Sequence, residues 1–555
     1  MTAFAAVLHK HHDAPALDGI ADALASVTGR PATAVHLGRC AMASAPMHVD
    51  DPAGPVCTPT GAVVVGRGGD EHAFAMWEPR EQTLACARDG LGIRLLYVAS
   101  ARDAIVVSNV LAAALRCPGV SDALDDTALI AFLARGEAAD DVRTCYRDVK
   151  VVPPGHTLSI DARSGKTQLR RHWHFPLPDG LRRTRTAILE EYRSLLETAV
   201  RDRLGRDGTS IFLSGGIDST TMAAAAANVA APGTLQTITT RYPRYVDDGE
   251  LPFTQAAADR LRLPLTVLDA DRHGPWHVDP RDPPLASPLD EPTLGNWRDA
   301  LAAAARHGTV ALYGEDGDAV LRPPGWRGLR NSASLTQIGA AAARYAIGAR
   351  RRPYLGLRWR ERVGIVPPRG RAMPAWISAD AHDMLARMEP GTILECAPEP
   401  LPPHPTRPEA QALLTSTTVS RHFAATIAPE TTRRSIELRF PLLDTRLIRF
   451  VVSVPAIPWC QHKALPRRAY KGLLPDAVLA RPKTPLNGFN EGIVAAWRMG
   501  NPVVRPPRDP IAQWIDVPAW LRALEDGTPE AVLAAWRVSA LDAWLAQRAS
   551  TACIR

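Results

Sequence analysis

The rhythm of apolar and polar positions changes about a third of the way along the chain. Up to residue 175 the apolar runs are short and bounded by Gly, Pro and charge. Segments 61–65, 73–77, 84–88, 95–98 and 104–110 predict strands, and Asp89-Gly90-Leu91-Gly92 predicts the turn between the third and fourth of them. Residues 127–135 predict a helix, and Val152-Pro153-Pro154-Gly155-His156 a turn before a strand at 157–160. From about 183 the pattern alternates. A long amphipathic helix at 184–204 is followed by a buried strand at 209–213, an Ala-rich helix at 220–229, a strand at 234–240, a helix at 253–262, a strand at 265–268, a helix at 294–306 and a strand at 309–313. Alternation of this kind implies a mainly parallel sheet covered by helices. Residues 322–410 are rich in Arg and Pro, with Arg350-Arg351-Arg352 and Arg358-Trp359-Arg360, and predict a helical insertion with irregular ends.

At 555 residues the chain exceeds one ordinary core, which predicts two or more domains. Its 46% hydrophobic and 22% charged content is that of a soluble globular protein. No apolar run approaches the ~20 residues that span a bilayer, and no secretory pattern opens the chain, so a cytoplasmic protein without membrane contact is expected. The eight cysteines are scattered and form no C-x-x-C pair, which argues against a zinc or redox motif. The net charge of +7 is mild and reads as an Arg-rich coding style rather than nucleic-acid binding.

Chemistry enters with Ser214-Gly215-Gly216-Ile217-Asp218-Ser219, placed where the strand at 209–213 gives way to a helix. Small residues there let backbone N–H groups approach an anion at a helix N-terminus. Asp218 alone would repel phosphate, so it predicts a bridging cation. The loop has no lysine and is not a G-x-x-x-x-G-K-[ST] loop. A second acidic turn, Tyr313-Gly314-Glu315-Asp316-Gly317-Asp318, ends another strand. Two parallel strand ends can bring Asp218 and Asp318 to one magnesium–pyrophosphate complex.

The first string resembles the pyrophosphate loop of the ATP pyrophosphatases: asparagine, argininosuccinate, GMP and NAD synthetases and tRNA-modifying enzymes, all of which cleave ATP between its α and β phosphates. The second resembles the Ser-Gly-Glu-Gly-Ser-Asp segment of asparagine synthetases. Asp290-Glu291-Pro292 resembles that family's Asp-Glu-Pro, and Glu437-Leu-Arg439-Phe-Pro441-Leu-Leu443-Asp444 its Glu-x-Arg-x-Pro-Phe-Leu-Asp. Lys463, Arg467-Arg468, Leu474-Pro475 and Arg481-Pro482-Lys483 follow at similar spacing. In the first part, Ala73-Phe74-Ala75-Met76-Trp77, the stretch 87–97 and the turn 152–156 look like the class II glutaminase domain of the same enzymes.

The resemblance implies an α/β fold: an N-terminal Ntn-type αββα glutaminase-like sandwich (1–178), then a parallel-sheet ATP-pyrophosphatase domain of the adenine nucleotide α-hydrolase kind (179–555) with helical insertions. It implies ATP and Mg2+ as cofactors. Nucleotide contacts fall to Leu213, Ser214, Gly215, Gly216, Asp218, Ser219, Thr239, Tyr313 and Gly314, and metal contacts to Asp218 and Asp318. Lys483 inherits the catalytic lysine's role and Glu315 a catalytic one. Taken by themselves, Lys463 and Arg481 read as solvated surface charge.

One departure matters. The active glutaminase uses a cysteine directly after the initiator methionine, and here that residue is Thr2. The Arg-Gly…His and Asn-Gly-Glu segments that hold glutamine are also not found. A retained fold without glutamine hydrolysis is expected, as in β-lactam, carbapenam and lasso-peptide macrolactam synthetases. β-Lactam enzymes carry a tyrosine where this chain has Glu315. The Arg-rich insertion, the length and the C-terminal string look similar to lasso-peptide cyclases, which adenylate an Asp or Glu side chain of a leader-cleaved precursor peptide and join it to the peptide's α-amine. That resemblance implies the precursor peptide and a leader-peptidase or leader-binding protein as partners, and no nucleic acid. Another amide ligase of the same chemistry, of β-lactam type or an ammonia-dependent asparagine synthetase, is the alternative. A non-catalytic scaffold is disfavoured by intact Asp218, Asp318 and Lys483.

Overall fold

The computed structural model describes residues 2–552 apart from 12–16, 48–50, 68–71, 137–138, 244–248, 276–284, 316, 351–372, 417–423, 435, 483–488 and 501–503. Lys483, Asp316 and the arginine run beyond Arg350 lie outside the described residues.

The chain opens with β1 (Thr2–His9), then α1 (Asp18–Thr28), β2 (Thr33–Leu37), β3 (Cys40–Pro46), β4 (Val56–Cys57), β5 (Val63–Gly66), β6 (Ala73–Glu78), β7 (Thr83–Arg88), β8 (Tyr97–Ser100) and β9 (Ala104–Ser108). Helices α2 (Leu111–Leu115) and α3 (Asp126–Arg135) precede β10 (Val149–Val151), β11 (His156–Asp161) and β12 (Thr167–Arg171). Among the described residues these strands form two six-stranded sheets, ordered β10-β8-β9-β1-β3-β2 and β12-β11-β7-β6-β5-β4, with antiparallel pairing. β1 explains the layering. Phe4, Ala6 and Leu8 pack between the sheets with Trp77 and Leu84, while Ala3, Ala5 and Val7 pack under α1 with Ile20 and Leu24. The strand expected at 95–98 starts only at Tyr97, because the preceding carbonyls are engaged elsewhere: Arg88 Nε donates to Arg94 O (2.6 Å) and Val152 N to Leu96 O (2.8 Å).

The second half is built on α4 (Arg185–Arg201), β13 (Thr209–Phe212), α5 (Ile217–Val229), β14 (Leu235–Arg241), α6 (Leu251–Leu261), β15 (Leu265–Asp269), α7 (Leu294–Ala305), β16 (Val310–Leu312), α8 (Gly317–Val320) and β17 (Glu437–Arg439). The strands form one parallel sheet ordered β15-β14-β13-β16-β17. The whole is the α/β fold the resemblance implies, with antiparallel layers first and a parallel sheet second. Thr184 caps α4 by accepting from Ala187 N (3.2 Å), and Ile188, Tyr192, Leu196 and Val200 give the helix one buried face. α5 is buried nearly all round, and its Met222-Ala-Ala-Ala-Ala226 run lets it lie close to the sheet.

Charged groups tie the halves together. The Arg88 guanidinium is buried and spends its protons on the carbonyls of Arg94, Gly92 and Val152. The Asp89 carboxylate accepts from Leu91, Ile93 and Arg94 N–H groups. The loop so fixed sends Leu91 and Ile93 into the core of the second half, and Arg94 Nη2 donates to Leu438 O on β17 (2.6 Å). The string 437–444 is part of the same frame. Asp444 takes hydrogen bonds from Arg203 (2.8 Å) and Arg446 (2.7 Å); burial alone would raise its pKa, but these partners outweigh it and hold it at about 2.

Returning from the second half, Glu430 accepts from the first amides of α2, Leu111 N (3.1 Å) and Ala112 N (3.4 Å). Its burial outweighs those bonds and pushes its pKa up to about 7. A carboxyl raised from an ordinary 4.5 stabilises the fold fully below pH 4.5, and that contribution is lost as pH rises through 7. Glu430→Gln keeps an acceptor and removes the titration. Between pH 4.5 and 7.5 the wild-type thermal midpoint should therefore fall about 2–4 °C further than the variant's; equal falls would show that this contact does not titrate in the folded protein.

Candidate active site

β13 continues to β14 and β15 on one flank of the sheet, whereas β16 and β17 fill the other. Where the connections part, the carboxyl ends of neighbouring parallel strands leave an open crevice, the usual place for a ligand in such sheets. Both acidic turns end there.

After β13, Leu213 still donates to the sheet through Ile238 O (2.8 Å). Gly215 then turns with φ +69°, and a Cβ on it would stand 2.9 Å from Thr254 N and Oγ1 and 3.0 Å from Glu250 O. Only glycine meets both demands. Ser219 Oγ fastens the turn: it accepts from Ser214 N (3.1 Å), shares a hydrogen bond with Ser214 Oγ (3.1 Å) and lies 3.3 Å from Gly216 O. Gly216 caps α5 and has no side chain to accept from the first helical amides, an arrangement that suits an anion at the helix start.

Across the crevice the turn after β16 runs hard against α5. A Cβ on Gly314 would lie 3.2 Å from Ser219 N and Cα, and one on Gly317 only 2.5 Å from Asp218 Cγ. This closeness brings Asp318, at the start of α8, beside Asp218. Lys463 joins them: its Nζ bonds Asp218 Oδ2 and stands 2.7 Å from Asp318 Oδ1. With 14% of its side chain exposed, Lys463 is no solvated surface charge. Arg481 is not one either. It pairs with Glu250 (2.9 Å), whose carbonyl faces Gly215, and lies over the Phe253 ring (4.7 Å).

Magnesium is commonly held by one or two carboxylates, with phosphate oxygens and water completing its shell. The residues fit that use. Among the described residues no group of three or more His, Cys, Asp or Glu side chains is placed to hold a metal alone, whereas Asp218 and Asp318 converge on the Lys463 ammonium beside the Gly215 turn.

Beside the turn, Tyr313 packs edge-on against Phe212 (5.7 Å), Trp297 (5.5 Å) and Phe440 (6.3 Å). Its hydroxyl pKa is raised by burial first and then by Glu315, Tyr242 and Glu291, which places both carboxylates near that ring. The segment carrying Glu291 is pinned from three sides: Tyr146 Oη donates to Ala286 O (2.7 Å), Trp544 Nε1 to Leu285 O (2.8 Å), and Arg537 pairs with Asp290 (2.7 Å).

The structure thus gathers Leu213, Ser214, Gly215, Gly216, Asp218, Ser219, Tyr313, Gly314, Glu315 and Asp318 at one sheet edge. Thr239 is buried on β14, one position past the Phe212–Ile238 pair. Lys483 lies outside the described residues. Lys463 and Arg481, which follow at the family's spacing, are the members to which the sequence alone assigned no role. One signal was available for them: only six of the 65 basic residues are lysine, and Lys463, Lys471 and Lys483 cluster in one stretch. A chain that writes its positive charge as Arg keeps Lys where a compact ammonium is needed. At the other end, the Thr2 hydroxyl is buried with no hydrogen-bond partner among the described residues, and the Thr2 carbonyl accepts from Asn109 Nδ2 (2.9 Å).

Residues 58–173 match a glutamine amidotransferase domain, and residues 191–546 match asparagine synthase. The amidase chyE of Penicillium rubens is 30% identical over 168 residues, which cover 30% of this chain and 24% of that protein. Asparagine synthetase (glutamine-hydrolyzing) 3 of Bacillus subtilis is 27% identical over 158 residues, 28% of this chain and 25% of that one. The matched stretch thus spans about a quarter of either relative's length. Among solved structures, an NH3-dependent NAD synthetase from Campylobacter jejuni aligns over 24% of this chain and 59% of its own, at 14% identity and a TM-score of 0.17, too slight a likeness to carry weight. The asparagine synthase match covers more than half of the sequence and runs through Asp218, Asp318 and Lys463, and the chain therefore belongs to the asparagine synthase family.

Proposed function

We propose that this protein is an ATP-dependent amide ligase that closes a lasso peptide. The observation that carries the ATP chemistry is the meeting of Asp218 and Asp318 at Lys463 beside the Gly215 turn. In the first step, an oxygen of a peptide Asp or Glu side chain attacks the α-phosphorus of ATP. The bond from that phosphorus to the α–β bridging oxygen breaks, and pyrophosphate leaves. The Lys463 ammonium, the first amides of α5 and the Ser214 hydroxyl are the donors that take up the growing charge. Asp218 and Asp318 would hold magnesium, which when bound would supply further neutralisation of phosphate charge. By resemblance, Lys483 answers the charge on the α-phosphate. In the second step the peptide's α-amine attacks the acyl carbon of the adenylate. The amine proton passes to Glu315, and the C–O bond to AMP breaks.

What supports an amine of the peptide, rather than ammonia from glutamine, is position 2. A threonine hydroxyl needs a base to become a useful nucleophile, and this one is buried without a hydrogen-bond partner among the described residues. The Glu315 that replaces a β-lactam enzyme's tyrosine, and the Arg-rich insertion, support the peptide substrate. A second reading, a ligase joining free ammonia to aspartate, draws on the Bacillus relative only for the asparagine synthetase reaction, since that relative is described as glutamine-hydrolyzing. A leader-cleaved precursor peptide and a leader-binding or leader-cleaving protein are the partners proposed, in a cytoplasmic setting. Among the described residues no helix is long and apolar enough to cross a membrane.

Incubated with ATP, magnesium and linear peptides bearing a free α-amine and an internal Asp or Glu, the enzyme should release AMP, pyrophosphate and a product one water lighter. Asp218→Ala and Asp318→Ala should each lower the rate by about a hundredfold or more, with the thermal midpoint little changed. ADP and phosphate as products would overturn the mechanism, and turnover of aspartate with ammonium but of no peptide would favour the second reading.

Supplied with glutamine, ATP and magnesium, the wild type should form no glutamate, and Thr2→Ala should ligate at the wild-type rate. Glutamate that appears in the wild type and vanishes in Thr2→Ala would return the N-terminal half to catalysis.

A further inference from the structure

Lys463 reaches the two carboxylates from an unusual stretch of backbone. His462 and Lys463 are consecutive and both lie in the left-handed region, at φ +47° and +55°. Residues with side chains adopt that conformation at a cost, and two in succession persist only where their surroundings enforce it. Two contacts do so. Arg467 Nε donates to the His462 carbonyl (2.9 Å). On the other side, the His462 imidazole lies flat on the Tyr345 ring, with centroids 6.1 Å apart and planes 14° from parallel. Tyr345 is buried near the end of the helix Leu335–Ala349, and Ile338, two turns earlier, buries into the same core. That helix sits in the Arg- and Pro-rich insertion, more than a hundred residues before Lys463, and forms no part of the parallel sheet.

We propose that Tyr345 is a positioning residue for the reaction. Its ring clamps His462, fixes the left-handed pair, and so holds the Lys463 ammonium between Asp218 and Asp318. The insertion helix thereby becomes a mechanical support of the pyrophosphate end of the site. A side chain that merely filled the core would stabilise the protein without favouring one lysine position. A clamp acts through Lys463, and its effect must disappear when Lys463 is gone.

The proposal rests on reading the carboxylate pair as a magnesium–pyrophosphate site, and the test separates the two. Magnesium pyrophosphate is titrated into the full-length protein by calorimetry, alongside thermal unfolding. Tyr345→Ala should bind it about tenfold more weakly, and Tyr345→Phe, which keeps the ring, within about twofold of wild type. In a Lys463→Ala background, Tyr345→Ala should add less than about twofold. If Tyr345→Ala does not fold, His462→Ala removes the other ring and should show the same loss and the same dependence on Lys463. Wild-type affinity in the Ala variants, or a loss that persists in full without Lys463, overturns the clamp while leaving the site intact. A wild-type protein that does not bind magnesium pyrophosphate overturns the site itself.

Discussion

Two carboxylates at the mouths of adjacent strands repel each other, and a protein keeps them together only by supplying positive charge. That constraint organises the second half of this chain. Placing β13 beside β16 brings the two turns to one edge, and a glycine at 317 removes the side chain that would otherwise push Asp218 away. Lys463 arrives from 245 residues downstream to stand between them. These three side chains sum to one negative charge, so the site is primed for more cation than the lysine brings. A strained backbone, a ring stack and an arginine brace serve the aim of that one ammonium.

The string from Glu437 to Asp444 has a different character. It resembles a family signature, yet its charged side chains turn into the frame. Arg439 bonds Glu437 (3.1 Å) and Asp444 is held by Arg203 and Arg446, which fastens β17 and the helix Thr445–Ser453 to α4. Breaking such a buried network leaves a charge without its partner, which costs more than the pair contributes. These residues position the sheet that carries the acidic turns.

Much of this was legible in the sequence, and the reasons are local. α4 and the alternating elements after it announce themselves through 3.6-residue and strand-length periodicities, and the Ser214–Ser219 string carries its own turn chemistry. β1 was not legible. It is buried on both faces, so Thr-Ala-Phe-Ala-Ala-Val-Leu-His has no apolar–polar alternation to read. The role of Lys463 was hidden for another reason. Its neighbours in sequence, His462 and Arg467, hold its backbone, while its partners stand on two turns that the fold alone brings near. The close approach of Gly317 to Asp218 is likewise a fact of strand order, and no single segment encodes it.

The last feature concerns the half that begins with Thr2 in its first strand. The helix Pro529–Ala552 lays Val532, Ala535, Val538, Leu541 and Trp544 into the cluster that holds α3, with Trp514 and Trp520 beside them. The apolar surface of the N-terminal layers is therefore also the resting place of the chain's other end. Cutting the layers away would leave several large rings facing water, a surface of the kind that aggregates. Evolution meets the same obstacle as a protein engineer. A residue that does chemistry can be exchanged at no cost to solubility, but removing the layers that cover Trp514, Trp520 and Trp544 exposes those rings. The N-terminal half is thus a packing dependency of its neighbour, and its apolar positions are constrained by that contact whatever chemistry the half performs.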